Sequence, residues 1–477
     1  MPMNEPMIIQ GGMGVGVSGW PLARAVSRLG QLGVVSGTVL DLTLARRLQL
    51  GDPGGHLRRA FSHFPSSEAA ARIVKQYFIP EGKLPDEPFL PVPIFTASPT
   101  VAQQELAVLS GFTEVWLAKE GHEGLVGINF LEKIQLPLLP TLYGALLAGV
   151  DYVLIGAGIP REIPGILDKL VRHEPVSTRL HVKGADSSDE YRHNFDPRAV
   201  FASPLSLLRR PKFLPIIASS TLALALAKKA TGQIDGFVIE GPLAGGHNAP
   251  PRGELQLNER GEPVYGEKDI VDLEKIRALG LPFWLAGSFG HPQRLQEALA
   301  AGAAGIQVGT AFAFCEESGI AAEIKSAVLK RVKEGTVDVL TDPLASASGF
   351  PFKVVSLEAT LSEASVYENR PRLCDMGYLR HAYKRADGSL GYRCPGEPVE
   401  LYIKKGGAPE ETIGRKCLCN GLTATIGLAQ RQQQTGYLEP PLITAGDDLK
   451  NLAHFLNENA SYSAKDVVAY LLSLQAP

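Results

Sequence analysis

Cysteine is scarce in this chain, 5 in 477 residues, which excludes a scaffold held together by disulfides. A dominant charge sign is also missing. With 47 basic against 50 acidic residues and a formal net charge of -3, no global field would draw the chain to nucleic acid or to an anionic membrane. A small-molecule partner is expected instead, with homodimerisation left open. The longest apolar stretch, Leu136 to Pro160, is broken by Pro137, Pro140, Asp151 and several glycines, unlike a membrane span. The opening MPMNEPMIIQGGMG has no basic region followed by a long apolar run, so the expectation is a cytoplasmic protein.

What the chain does have is a repeated pattern. Eight short runs rich in Val, Ile and Leu end in glycine or a small polar residue: MIIQGG from Met7, LGVVSG from Leu32, LVGINF from Leu125, DYVLIGAG from Asp151, FLPIIASS from Phe213, DGFVIEG from Asp235, PFWLAGS from Pro282 and GIQVGT from Gly305. Continuous apolar runs without alternation indicate strands covered on both faces, as in a parallel sheet flanked by helices. Helical segments such as TLALALAKKATG and HPQRLQEALAAG separate them. Eight such units predict an α/β fold, a (β/α)8 TIM barrel, over an open doubly wound sheet of five or six strands. The barrel is expected over residues 1–349, with a helical insertion at about 38–93 after the second strand. Residues 350–477 would form an α+β cap that contains cysteines.

In such barrels the functional groups sit in the loops at the C-terminal ends of the strands. After the sixth run comes GPLAGGHNAPPRG, residues 241–253. Two glycines allow a close backbone approach to a ligand, and a histidine follows them. His247 suits proton removal or anion stabilisation, since its ordinary pKa lies near 6.5; the plainer role is a loop histidine bonded to a backbone carbonyl. Gly287 with Ser288, and Gly309 with Thr310, close the seventh and eighth runs just before helical segments, the usual place for a phosphate site in these barrels. The string GMGVGVSG near the N-terminus is weak evidence for a dinucleotide loop, because no acidic residue ends the run that follows it.

MIIQGGMGVGVS, GLVGINF, EGPLAGGH and LAGSFGHPQRLQEALAAGAAGIQVGTAFAFCEESG together resemble the nitronate monooxygenase (2-nitropropane dioxygenase) family, FMN-dependent TIM barrels related to flavin-dependent enoyl-acyl-carrier-protein reductases. The resemblance spans roughly residues 7 to 320, with the segment 38–124 matching poorly. It implies that Gly11, Gly12, Met13 and Asn129 lie against the flavin, and that Gly245 and Gly246 let the backbone approach it. It further implies that Gly287, Ser288, Gln307, Gly309 and Thr310 hold the FMN phosphate, and that His247 is the active-site histidine. Glu240 is expected either to touch the cofactor or to pair with a residue such as Arg252. Asn248 and Arg252 could face the mouth of the site and contact substrate, although Arg252 also suits a solvated loop.

The activity this implies is FMN-dependent oxidation of alkyl nitronates using O2, with His247 as base or anion stabiliser. Glu240 and the QVGT block are shared with the reductase relatives, so an alternative is an enoyl-thioester reductase with NAD(P)H as co-substrate. A third possibility is a non-catalytic flavin-binding scaffold in a biosynthetic complex. The tail cysteines Cys374, Cys394, Cys417 and Cys419 could form a four-thiolate metal site, but they lack paired C-x-x-C knuckles. Reduced, buried thiols are the expectation, and no metal is assigned.

Overall fold

Every one of the eight apolar runs forms a strand of one parallel sheet in the computed structural model, which describes residues 5–186, 188–201, 206–456 and 460–475. The strands are β1 (Ile8–Gln10), β2 (Gly33–Ser36), β3 (Val126–Leu131), β4 (Tyr152–Gly156), β5 (Lys212–Ile217), β6 (Phe237–Glu240), β7 (Phe283–Ala286) and β8 (Gly305–Val308). From β2 onward each pairs with the next in sequence, and β8 pairs with β1. The last seam, between β1 and β2, is closed by a parallel bridge from Ile9 to Leu32. Two glutamine side chains reinforce it: Gln31 Oε1 accepts from Ile8 N–H at 2.9 Å, and Gln10 Oε1 accepts from Val34 N–H at 3.0 Å. The result is a closed (β/α)8 barrel rather than an open sheet.

The barrel interior is filled, not hollow. Ile9, Leu32, Val34, Tyr152, Leu154, Leu214, Val238, Trp284 and Ala286 form its inner cluster. Trp284 is fully buried and donates its indole N–H to Pro6 O at 2.7 Å, so its polar edge is satisfied where the chain plugs the N-terminal end of the barrel. Burying a large apolar side chain of this kind contributes roughly 1.5–3 kcal/mol. The opposite end, where the strands run out in glycine and small polar residues, remains open.

Between β2 and β3 lie the helices Leu40–Gln49, His56–Phe61 and Ser67–Tyr77, then a stretch without helix or strand, then the long helix Val101–Lys119. Thr100 caps that last helix through a capping box with Gln103, which satisfies two N-terminal donors at once. A second excursion, between β4 and β5, carries the antiparallel pair Val176–Arg179 and Arg192–Phe195. Its short strand Val182–Lys183 joins the tail hairpin His381–Lys384/Leu390–Arg393 to make three strands.

The tail begins with an antiparallel pair, Val339–Asp342 and Phe352–Val355, that straddles the expected start of the cap at residue 350. The cap has its own apolar cluster, which includes Ala345, Phe352, Val354, Leu361, Leu379, Leu418 and Leu442. It is fastened to the insertion by Tyr378 Oη, which donates to Asp41 Oδ1 at 2.7 Å, and by Arg46, which donates to Leu428 O at 2.6 Å. Arg370 and Glu439 make a two-pronged ion pair inside the cap, at 2.9 and 3.1 Å and almost wholly buried.

Candidate active site

The open end of the barrel holds a cavity of about 670 Å³. Every residue singled out from the sequence as a site residue lines it: Gly11, Gly12, Met13, Asn129, Glu240, Gly245, Gly246, His247, Asn248, Arg252, Gly287, Ser288, Gln307, Gly309 and Thr310. Sheet register explains much of this convergence. Glu240 and Gln307 both stand opposite Ala286, so three adjacent strands end at one level. Asn129 reaches the rim one strand from Ser36.

The first loop is a cradle with no room for a side chain. A Cβ on Gly12 would stand 2.3 Å from Asn129 Cβ and 2.9 Å from Val34 Cγ1. Asn129 Nδ2 donates to Gly12 O at 2.9 Å, which holds the loop down, while among the described residues its Oδ1 and Gln307 Oε1 are buried without a partner. Orphaned buried acceptors are rare because each one forfeits its hydration, and here both belong to residues that line the cavity. A ring that carries its own N–H groups and carbonyls would satisfy such amides, after a flip where a donor is needed.

At the corner between β7 and β8, Gly287 has φ of +96° and Ser288 of +58°. Ser288 is held in the left-handed region, which non-glycine residues seldom adopt, and successive turn amides of this kind make an anion-binding concavity. Thr310 Oγ1 accepts from Gly446 N–H at 2.9 Å. Burial raises the Asp448 carboxyl above the ordinary carboxylate range. The glycines, the two orphaned amides and this turn suit a flat heterocycle with a phosphate, which is the shape of FMN.

His247 stands at the cavity wall on a loop clamped by the cap. Gly246 O accepts from Lys353 N–H at 2.9 Å, Asn248 N–H donates to Pro351 O at 2.9 Å, and Gly246 N–H donates to Thr444 Oγ1 at 2.9 Å. A bridge pairs His247 with Phe352, whose ring meets the imidazole edge-on at 4.9 Å. The imidazole Nε2 bonds Ser346 Oγ at 2.7 Å, while Nδ1 has no protein partner among the described residues. Burial pushes the imidazole down to about 4, with no carboxylate nearby to hold its cationic form. Glu240 shows the opposite shift. It has neither ion-pair nor hydrogen-bond partner among the described residues, and burial pushes its carboxyl up to about 8. At neutral pH the site therefore presents a neutral imidazole and a protonated acid.

Asn248 is buried, with Nδ2 donating to Ala244 O at 3.0 Å and Oδ1 unpartnered. Arg252 is partly engaged by the protein. It donates to Ala218 O at 2.7 Å and to Lys268 O, while its backbone N–H bonds Asp269 Oδ1 at 2.9 Å. It braces the loop after β6 against the end of β5, and it does not pair with Glu240. His291 caps the helix Pro292–Ala300, accepting from Gln293 N–H.

The sequence alone gave no sign that the cap supplies a wall of the site. Phe350, Phe352, Tyr378, Leu379, Leu418, Cys419, Thr444, Ala445 and Asp448 all line the cavity. A Cβ on Gly245 would stand 2.8 Å from Ala445 C, so this cavity-lining glycine also permits the contact with the cap. The four tail cysteines converge on a separate small cavity directly behind that wall. All are free thiols, and among the described residues no group of three or more His, Cys, Asp or Glu is arranged to hold a metal ion. The neighbouring Cys394 lowers the Cys374 thiol and is itself raised by it and by burial. Among the described residues no helix is long and apolar enough to cross a membrane.

Comparison with known proteins places the barrel. Residues 206–349 match the family model described as nitronate monooxygenase. A nitronate monooxygenase of Pseudomonas aeruginosa is 30% identical over 190 residues, 40% of this chain and 48% of that protein. A probable nitronate monooxygenase of Staphylococcus haemolyticus is 27% identical over 187 residues, 39% of this chain and 49% of that protein. These alignments thus span about half the length of the curated relatives. Among solved structures, FabK from Thermotoga maritima superimposes with a TM-score of 0.50 at 15% identity, covering 98% of this chain and 92% of that one, a likeness of fold.

Proposed function

We propose, for a chain whose residues 206–349 belong to the nitronate monooxygenase family, that it is an FMN-dependent oxidoreductase that oxidises alkyl nitronates with O2, with His247 handling the proton or charge of the substrate. The observation that carries this reading is the meeting, in one cavity, of a glycine cradle, two orphaned amide oxygens, a strained turn at the β7–β8 corner and an imidazole without a charged partner. When bound, FMN supplies the electron chemistry, which no side chain here can perform.

The chain's own residues do the rest. Gly11, Gly12 and Gly246 leave space for the ring, Asn129 and Gln307 offer hydrogen bonds to its edge, and the backbone at Gly287, Ser288, Gly309 and Thr310 receives the phosphate. His247, neutral down to about pH 4, presents Nδ1 to the cavity either as a lone pair for an α-proton or as an N–H for a developing anion. Glu240 keeps its proton up to about pH 8, so an anionic nitronate meets no like charge there. Phe350, Phe352 and Leu418 from the cap keep water from the reacting atoms.

A second reading is favoured by Glu240 itself. A carboxyl that keeps its proton is a donor suited to a neutral carbonyl, which supports NAD(P)H-dependent reduction of an enoyl thioester. An anaerobic reduction experiment separates the two. FMN-loaded protein bleached by alkyl nitronates but not by NADH or NADPH supports the first, and rapid bleaching by a nicotinamide supports the second. Bleaching by neither would reject both in favour of a non-catalytic role.

A further inference from the structure

We infer that Ser346, with Ser348 behind it, is the positioning residue that sets the tautomer of His247 and lets one imidazole both take and return a proton at Nδ1. The inference rests on His247 being the proton-handling group of the proposed oxidoreductase, but its geometry stands apart from any substrate.

Ser346 is completely buried. Its Oγ lies 2.7 Å from His247 Nε2 and 2.7 Å from Ser348 Oγ, and it accepts the Ser348 backbone N–H at 3.1 Å. The turn that carries it is rigid. Asp342 Oδ1 accepts from Leu344 and Ala345 N–H at 2.8 and 3.0 Å, while Arg415 donates to the carbonyls of Leu344 and Ser346, each at 2.7 Å. Ser348 Oγ accepts a further N–H, from Phe350, at 3.3 Å. Ser346 is therefore held in place by its backbone, while its one hydroxyl proton can turn to either of two acceptors.

The two settings have different consequences for His247. When the Ser346 hydroxyl donates to Nε2, the imidazole carries its proton on Nδ1 and offers an N–H donor to the cavity. When the hydroxyl turns to Ser348 Oγ, Nε2 carries the proton and donates to Ser346 Oγ, leaving a lone pair on Nδ1 that acts as a base. The two forms hold the same number of protons: Nδ1 gives its proton to the cavity, Nε2 receives one from the Ser346 hydroxyl, Ser346 is refilled from Ser348, and Ser348 is reprotonated from solvent. A histidine held by a carboxylate has only one of these settings, because a carboxylate only accepts. No charged side chain contributes to the depressed basicity of His247, which comes from burial alone, as expected for a partner that is a neutral hydroxyl.

The test uses protein labelled with ¹⁵N in its imidazoles, without flavin, the His247 signal being assigned by its loss in His247→Gln. The inference predicts that both tautomers are populated in the unsubstituted protein. Ser348→Ala, which removes the second acceptor, should drive His247 to the Nδ1–H form, and Ser346→Ala should shift its Nε2 resonance. With FMN bound, turnover on the substrate that reduces the flavin should fall about tenfold or more in Ser346→Ala, with KM little changed, and recover in Ser346→Thr. A single tautomer in the unsubstituted protein that neither serine variant alters would overturn the inference. Failure of every substrate to reduce the flavin would count against the proposed function and leave the tautomer result standing.

Discussion

Replacing Glu240 with glutamine should stabilise the folded chain, and do so only above the pH at which a free glutamate ionises. Burial raises its carboxyl from 4.5 to about 8. In the unfolded chain the group loses its proton near pH 4.5, while in the folded chain it keeps the proton until about 8. Below 4.5 both states are protonated and the residue has no pH-linked effect. As pH rises from 4.5 to 8 the unfolded state alone gains the ionised form, so stability falls, and above 8 the loss levels off. The shift of 3.5 units, at 1.36 kcal/mol per unit, sets a ceiling of about 5 kcal/mol. Glutamine keeps the shape and has no proton to lose. Urea unfolding of the flavin-free wild type and Glu240→Gln at intervals from pH 4 to 9 should give curves that coincide near pH 4 and separate steadily to pH 8. Parallel curves across that range would show that Glu240 ionises normally, and the picture of a protonated acid in the cavity would fail.

Other consequences can be checked by similar means. His247→Ala should bind FMN as the wild type does while losing about a hundredfold or more in turnover, read by flavin titration and steady-state rates on the same preparation. Gly12→Ala must displace Asn129, since the new Cβ would stand 2.3 Å from Asn129 Cβ; a drop in FMN affinity and a loss of about 1–3 kcal/mol in chemical denaturation are expected. Arg370→Met alone leaves Glu439 buried and unpaired, at a cost of about 3–5 kcal/mol, and adding Glu439→Leu should restore most of it. In timed alkylation followed by mass spectrometry, Cys374, whose thiol is lowered by Cys394, should react first, and buried Cys315, whose thiol burial pushes up, last.

The barrel was legible because its strands are covered on both faces, so each of the eight reads as an unbroken apolar run ending in small residues. A strand end fixes the place of Glu240 without knowledge of distant chain, and the family resemblance singled out Asn129 and Gln307, which line the same cavity. The wall supplied by the cap was not. Ser346 lies 99 residues from the histidine it bonds, and Thr444 lies 198 from Gly246, so nothing local in the sequence couples them. The excursion between β4 and β5 also escaped notice, because its strands Val176–Arg179 and Arg192–Phe195 bury only three residues between them and form no apolar run. Arg252 is a mixed case, since it lines the cavity while two of its donors bond carbonyls of its own scaffold.

Equilibrium titration of the flavin-free protein with FMN decides whether the open end of this barrel is an FMN site. One FMN should bind per chain, with a change in flavin fluorescence that is weakened by Gly12→Ala and little affected by His247→Ala. No uptake of FMN by the correctly folded protein would contradict it.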